Sequence, residues 1–406
     1  MDLSYVIVSH NRRDTLLRTL GILQRITPLP ADRWEIWVVD NASTDGTAEA
    51  VTEQFPDVRI LNRPTNEGVA ARSAAFPLCR GGAVTLLDDD SYPADADTVR
   101  KSLAHLETHP QTAAVVGRCV LPDGKLEACA LPGVMLSGAV CLRKTALDQI
   151  GGFRPEFFRK AGEYDFSFRM LDAGWRIERF EDLVYRHDKH AGGRDAGFAF
   201  KMDLRNNLIL VERFFPPAYR RAYRKDFLNR YAAFAQHFGH ENVLPEAIAE
   251  AREWAARESA AGRQTLSPNT LEAVLEWGLQ KRLIAEWAER LEVRRVVIAD
   301  HSKNLYATFR AARRSGLEVR AIAENHPALA GRTYRGVPVR NDREALCGSA
   351  DGVIFSNVNP AQVETRADQL RQRWAGPLLT LWQPQTLGDT AKNKTPAQRK
   401  KRKLVA

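Results

Sequence analysis

The sequence has little cysteine and no arrangement of it that chemistry could use. Cys79, Cys119, Cys129, Cys141 and Cys347 are odd in number, form no C-x-x-C pair and match no metal-ligand spacing. This argues against a disulfide framework or a zinc site and favours buried free thiols. No apolar run approaches the roughly 18 residues needed to span a bilayer. The opening MDLSYVIVSH lacks the basic start and apolar core of a signal peptide and reads as a strand. We therefore expect a cytoplasmic chain that meets a membrane only peripherally, at its inner face. No internal repeat is visible. The body of the chain also lacks a strong charge bias: net charge is +9, but seven Lys or Arg and no acid lie between Lys392 and the end. A nucleic-acid partner would rest on this tail alone and is not expected; anionic lipid would use the same charges.

What is present is enough for a large core. Hydrophobic residues are 44% and charged residues 27% of 406, more than one core usually organises, so several domains are expected. Short β-branched runs alternate with helical stretches from residue 3 to about 120, the pattern of a mostly parallel sheet covered by helices. Strands are expected at Leu3 to Ser9, Glu35 to Asp40, Val58 to Leu61, Ala83 to Asp88 and Ala113 to Val120. Helices are expected at the first leucine-rich stretch around Leu16 to Leu23 and at Val69 to Leu78. Further strands fall at Val134 to Leu142 and Ile177 to Tyr185, around a helix from about Glu163 to Ala173. Residues 197 to 290 read as packed helices, with Trp254, Trp277 and Trp287 as core. A second α/β pattern runs from Arg294 to Trp382 and suggests a small Rossmann-like domain. The expected domains are 1–215, 216–292, 293–383 and a basic disordered tail, 384–406.

In an open α/β sheet, ligands bind beyond the carboxyl ends of the strands. Three polar signals fall there: His10-Asn11-Arg12, Asp40-Asn41 and Asp88-Asp89-Asp90. Three adjacent carboxylates at a strand end repel one another unless a cation or donors compensate, and alternation lets Asp88 and Asp90 share a side. Asp40 at a strand end can accept from a base N–H or a ribose hydroxyl. In the second α/β pattern the first strand is followed by Asp300-His-Ser-Lys-Asn304, which has no glycine. A dinucleotide site would show G-x-G-x-x-G there, so none is expected, although a helix N-terminus could still receive an anion.

Four ordered motifs, Val6-Ile-Val-Ser-His-Asn-Arg12, Val38-Val-Asp-Asn-Ala-Ser-Thr-Asp-Gly-Thr47, Asn66-Glu-Gly-Val-Ala-Ala-Arg72 and Leu86-Leu-Asp-Asp-Asp-Ser-Tyr-Pro93, together resemble the family 2 glycosyltransferases of GT-A fold. The resemblance covers about residues 3 to 215. It implies an inverting sugar transfer from a nucleotide-diphosphate sugar to a hydroxyl acceptor, in surface polysaccharide or glycoconjugate synthesis, with Mn²⁺ or Mg²⁺. By this resemblance Ser9, Asn11, Arg12, Asp40, Arg72, Asp88 and Asp89 would line the nucleotide-sugar pocket, and Asp90 would ligate the metal. His187 would complete the metal shell, with His190 as a second candidate. Arg194 and Arg205 lie in a segment similar to the family's closing loop and following helix. The stretch Ala161-Gly-Glu-Tyr-Asp-Phe-Ser-Phe-Arg169 resembles the acceptor-side motif, so Glu163 is the expected general base and Asp165 the reserve. Gly162 stands where the family usually has a first acid, which keeps a catalytically lapsed nucleotide-sugar-binding scaffold in view as the alternative.

Overall fold

The computed structural model describes residues 1–189, 195–261, 265–348 and 350–390. It divides into two compact units: Met1–Ala128 with Gly133–Arg194 and Gln385–Asp389, and Cys129–Pro132 with Asp195–Pro384 and the chain from Thr390 on. The sequence reading put the first boundary near 215. Instead the helix Ala196–Phe214 belongs to the second unit, because the helix buries its apolar side among the other helices there. Of the expected disordered tail, 384–406, the structure describes residues 384–390, which include a helical turn at Leu387–Thr390; the basic residues from Lys392 on, His190 and Arg194 lie outside the described residues.

In the first unit the chain runs β1 (Leu3–Ser9), α1 (Arg13–Ile26), β2 (Trp34–Asp40), α2 (Thr47–Gln54), β3 (Arg59–Asn62), β4 (Ala83–Asp88), β5 (Ser91–Pro93), α3 (Ala96–Thr108), β6 (Thr112–Val120), β7 (Leu126–Glu127), β8 (Val140–Arg143), α4 (Lys144–Ile150), α5 (Gly162–Asp172) and β9 (Arg176–His187). The sheet order is β3-β2-β1-β4-β8-β6-β9-β5, with β7 paired to β6. β1 to β4 are mutually parallel, and β8 enters antiparallel between β4 and β6. Gly68–Leu78, expected to be an α-helix, is a 3-10 segment with Pro77 inside it. Proline has no backbone N–H to give a helix.

Alternation along the strands divides the core. Leu3, Tyr5 and Ile7 pack with Leu16, Leu20 and Leu23 of α1 on one face. Val6, Val39, Val84 and Leu86 pack with the 3-10 segment, α4 and α5 on the other. Each fully buried leucine contributes about 1.5–3 kcal/mol. On the second face Phe166 stacks on Phe153, centroids 4.5 Å apart, and so fixes where α5 begins. The returning segment 385–389 docks on β9 through Gln385 O, which accepts from Glu181 N at 2.9 Å.

The second unit contains α6 (Ala196–Phe214), α7 (Pro217–Phe238), α8 (Leu244–Ala261), α9 (Pro268–Leu275) and α10 (Trp277–Arg290). These precede β10 (Arg295–Ala299), α11 (Leu305–Arg314), β11 (Glu318–Ala323), β12 (Thr333–Tyr334), β13 (Val337–Arg340), α12 (Asp342–Leu346), β14 (Gly352–Phe355), α13 (Val363–Arg371) and β15 (Leu378–Leu379). Its sheet order is β12-β13-β11-β10-β14-β15, parallel except for β12. Trp254 and Trp287 are buried, and Arg310 lies over the Trp277 ring at 4.6 Å.

Candidate functional site

Register sets the site. In the parallel ladder Ser9 stands opposite Asp40, and Val8 opposite Asp88, so three strand ends finish side by side. Past Asp88 the chain turns at once: Asp88 N donates to Ser91 Oγ at 2.8 Å. β5 then pairs with β9 so that Ser91 faces His187, and Asp188 N donates to Asp90 O at 2.8 Å. The hairpin-like pairing thereby carries His187 across to Asp90.

Asp88, Asp90 and His187 each offer a ligand atom within 4.8 Å of the others. His187 Nε2 lies 3.0 Å from Asp90 Oδ1, yet this buried oxygen has no hydrogen bond of acceptable direction. A cation can take the place of the proton between these two groups. Two carboxylates and one imidazole suit Mn²⁺ or Mg²⁺, so the residues fit the expected metal. On the far side of the ring, His187 Nδ1 lies 2.7 Å from Glu127 Oε2, and Lys189 Nζ holds the other Glu127 oxygen at 2.7 Å. A carboxylate behind a histidine fixes the ring and raises its basicity. Burial opposes charge on His187, but Asp90, Cys119 and Glu127 outweigh it and push its pKa up to about 12. Cation binding must therefore displace a proton from it. Burial likewise works to raise Asp90, and the facing His187 and Arg12 overcome it and hold the carboxyl below its ordinary range. Cys119, Glu127 and His187 form a second convergent group, but burial pushes the Cys119 thiol up, away from the thiolate that metal binding needs.

Arg12 bridges Asp89 Oδ1 at 2.6 Å and Asp90 Oδ2 at 2.7 Å. Its guanidinium supplies the compensation that three adjacent acids require. Ser9 Oγ adds a bond to Asp89 Oδ2 at 3.0 Å, and Thr19 Oγ1 donates to Asp89 O. Burial still pushes Asp89 up to about 7, Arg12 pulling it down and Asp90 and Asp88 adding to the rise. Asp89 therefore faces inward among its partners and anchors the turn.

Arg72 is fully buried and reaches Asp88 Oδ1 at 2.8 Å and Ser137 O at 3.2 Å, while its Nε has no partner. Gly138 leaves room beside Asp88, since a Cβ there would come within 3.0 Å of Asp88 Oδ2. Ser137 Oγ donates to Glu163 Oε1 at 3.0 Å, so Ser137 connects the acid of α5 with the arginine and Asp88. The structure brings Glu163 into this cluster. It does not bring Asp165, which is 1% exposed and accepts from Arg169 Nε at 2.9 Å; Arg169 in turn donates to Ile150 O and Gly152 O. Asp165 thus ties the start of α5 to the loop before it. At Gly162 an added Cβ would meet Phe153, Phe157 and Val69 at 3.6 Å, an apolar corner that does not welcome a carboxylate.

The nucleoside-side candidates form a second group. Asp40 is buried, and its Oδ1 accepts from Ser43 N at 3.1 Å. Asn11, at φ 53°, caps the facing loop: Thr44 N donates to its Oδ1 at 2.7 Å. Asn41 receives Glu67 N and donates to Asn66 Oδ1 and Gly68 O, holding the turn that precedes Arg72. Gly68 is required there, because at φ 62° a Cβ would sit 2.0 Å from Phe158 O. Arg205 pairs with Glu250 at 2.7 Å within the second unit. Sequence reading missed Glu127 and Ser137 as parts of the site, and gave Asn41 only as part of a polar signal with no role of its own. Only Asn41, inside a recognised motif, left a signal.

The sheet order, the antiparallel strand between parallel neighbours and the acids at the strand ends define a GT-A type nucleotide-diphospho-sugar transferase fold. Residues 4–128 match the model for glycosyl transferase family 2. Glu163 and His187 lie beyond the matched segment. The dolichyl-phosphate beta-glucosyltransferase ALG5C of Trichomonas vaginalis is 33% identical over 140 residues, 32% of this chain and 42% of that protein. The chain thus spans less than half of that relative. The N-acetylglucosaminyl-diphospho-decaprenol L-rhamnosyltransferase of Mycobacterium tuberculosis is 25% identical over 243 residues, 48% of this chain and 78% of that protein. Among solved structures, Staphylococcus aureus TarS 1–349 with UDP is 17% identical at TM-score 0.48, covering 83% of this chain and 98% of that one. The mannosyltransferase PcManGT of Pyrobaculum calidifontis, with GDP-Man and Mn²⁺, is 19% identical at TM-score 0.43, covering 77% and 85%.

Proposed function

We propose that this chain transfers a sugar, with inversion, from a nucleotide-diphosphate sugar to a hydroxyl acceptor, and that Asp88, Asp90 and His187 hold the Mn²⁺ or Mg²⁺ it uses. The observation that carries this reading is the convergence of those three residues on one point, with a buried Asp90 oxygen left without a hydrogen bond. Asp40 and the backbone from Ser9 to Asn11 receive the nucleoside. Arg72 positions Asp88. When bound, the cation supplies neutralisation of the departing diphosphate.

Glu163 takes the proton of the acceptor hydroxyl as that oxygen attacks the anomeric carbon from the face opposite the diphosphate. Ser137 holds one oxygen of Glu163, leaving the other for the hydroxyl. Asp165, spent on Arg169, stabilises α5 and is not the base. The acceptor is a lipid-linked or glycan hydroxyl, a reading that the polyprenyl-linked substrates in the relatives' names support. The enzyme then works in the cytoplasm in glycoconjugate or polysaccharide synthesis. The described helices include none long and apolar enough to cross a membrane, so contact with a lipid acceptor falls to the basic residues from Lys392 on.

The second reading, a lapsed nucleotide-sugar-binding scaffold, is favoured by Gly162 and by Arg12 closing on Asp89 and Asp90. Nucleotide release from UDP-glucose, UDP-N-acetylglucosamine, GDP-mannose and dTDP-rhamnose, assayed with Mn²⁺, separates the two. The transferase sustains release with one donor, and Glu163→Gln keeps donor affinity while turnover drops about 10²–10⁴-fold. Binding without any release would establish the scaffold.

A further inference from the structure

The second unit has a ligand-sized hollow of its own, independent of the transfer reaction. It is a cavity of about 390 Å³ lined by Arg230, His301, Arg332, Tyr334, Asp226 and Asn229 among others, within the usual size of small-molecule sites. A smaller hollow shares Asp226, Arg230, His301 and Tyr334 with it and adds Ser302, Lys303 and Tyr306.

Its place in the fold is the one where α/β sheets bind ligands. β10 pairs with β11 on one side and β14 on the other, so the chain order reverses at β10 and a crevice opens beyond its carboxyl end. The residues there are Asp300 to Asn304, followed by the N-terminus of the ten-residue helix α11. Asp300 has φ 68°, a costly conformation for a side-chain-bearing residue. It is held by Arg366 Nε at 2.7 Å and by Ser356 Oγ on its carbonyl at 2.6 Å. His301 follows it in the cavity wall, its backbone N–H donating to Glu324 Oε2 at 2.9 Å.

The wall of the hollow carries two arginines and one carboxylate, with Glu324 lying behind His301. Among the described residues neither Arg230 nor Arg332 is in an ion pair. Arg230 reaches only His301 Nδ1, at 3.5 Å, and the face of Phe234 at 5.1 Å. Arg332 bonds the neutral Ala328 O and Gln236 Oε1. The one carboxylate in the wall, Asp226, is taken up by Tyr334 Oη at 2.7 Å and Arg335 at 2.8 Å. An arginine can only donate, so His301 accepts at Nδ1 and carries its proton on Nε2, a further donor. Burial, followed by the Arg230 charge, lowers the His301 pKa to about 4 and keeps the ring neutral.

We infer that this cavity binds the phosphate monoester of a ring compound, a sugar phosphate or a nucleoside monophosphate, with Arg230 and Arg332 on the phosphate and Tyr334 against the ring. Planar guanidinium forks match phosphate oxygens, and such charge-assisted bonds are the strong ones.

The test is equilibrium dialysis of the full chain in EDTA against glucose 6-phosphate, AMP and inorganic phosphate. One of the two esters is expected to bind at one site per chain, more tightly than phosphate. Arg230→Ala should weaken it about tenfold or more, and Arg332→Gln, an exposed position, provides the same reading if Arg230→Ala fails to fold. Asp90→Asn should leave it unchanged. Binding that Asp90→Asn removes and the arginine variants keep would assign the ester to the first unit and overturn the inference. Absence of binding by both esters, or phosphate binding as tightly as they do, would also overturn it. Donor turnover by the first unit is read separately and bears on neither outcome.

Discussion

The carboxyl ends of the parallel strands in the two sheets carry similar acids, matched by different cations. At the second sheet, Asp300 and Asp342 are satisfied from within: Arg366 donates to Asp300 at 2.7 Å and to both Asp342 oxygens at 2.6 Å. At the first sheet, Asp88 is met by Arg72, Asp89 by Arg12, and Asp90 by Arg12 and His187. A strand end whose charges are fully matched contributes stability. The second edge is matched by a fixed guanidinium, and the first is matched in part by a proton on His187 that a cation can displace.

Substitutions should separate the two edges, the largest effect coming from the matched one. Arg366→Met strands the buried Asp342 and the half-buried Asp300, and breaking a buried pair costs about 3–5 kcal/mol. Urea unfolding followed at the second unit should register that loss while Mn²⁺ binding by the intact protein is unchanged. Asp165→Asn is expected to cost about 3 kcal/mol by the same argument. It should leave turnover per folded molecule within about threefold, well short of the loss expected of a general base; a deeper fall would make Asp165 the base after all. Glu127→Gln, which keeps the shape but weakens the carboxylate behind His187, should lower Mn²⁺ affinity about 10–100-fold, measured by calorimetry. An unchanged affinity would remove His187 from the metal shell.

Much of this was legible in the chain itself. The parallel core was written in short β-branched runs, and Asp88-Asp89-Asp90 stood out because like charges at a strand end need a reason. The roles within that run were less visible. Asp89, expected in the nucleotide pocket, is turned into the wall by Ser9 and Arg12, and Arg12 spends its guanidinium on acids 77 and 78 positions away rather than being free for the nucleotide. Glu127 sits on a two-residue strand and meets His187 only through the sheet, 60 residues on. Arg230 and His301 are separated by 71. Periodicity reports which face a side chain takes along its own element. It carries no information about which distant element that face will meet. Sequence and structure differ at Val69 to Leu78, where a helical pattern forms a 3-10 segment with Pro77 near its end.

The most direct test of the account is the Mn²⁺ dependence of UDP and GDP binding by wild type and Asp90→Asn, read together with melting temperature. The account predicts that wild type binds one of the nucleotides much more tightly with Mn²⁺ than in EDTA. It predicts that Asp90→Asn loses that difference while remaining folded, with a melting temperature in EDTA lowered by the loss of its pairs with Arg12 and His187. An Asp90→Asn protein that keeps the Mn²⁺-dependent gain in affinity would contradict it.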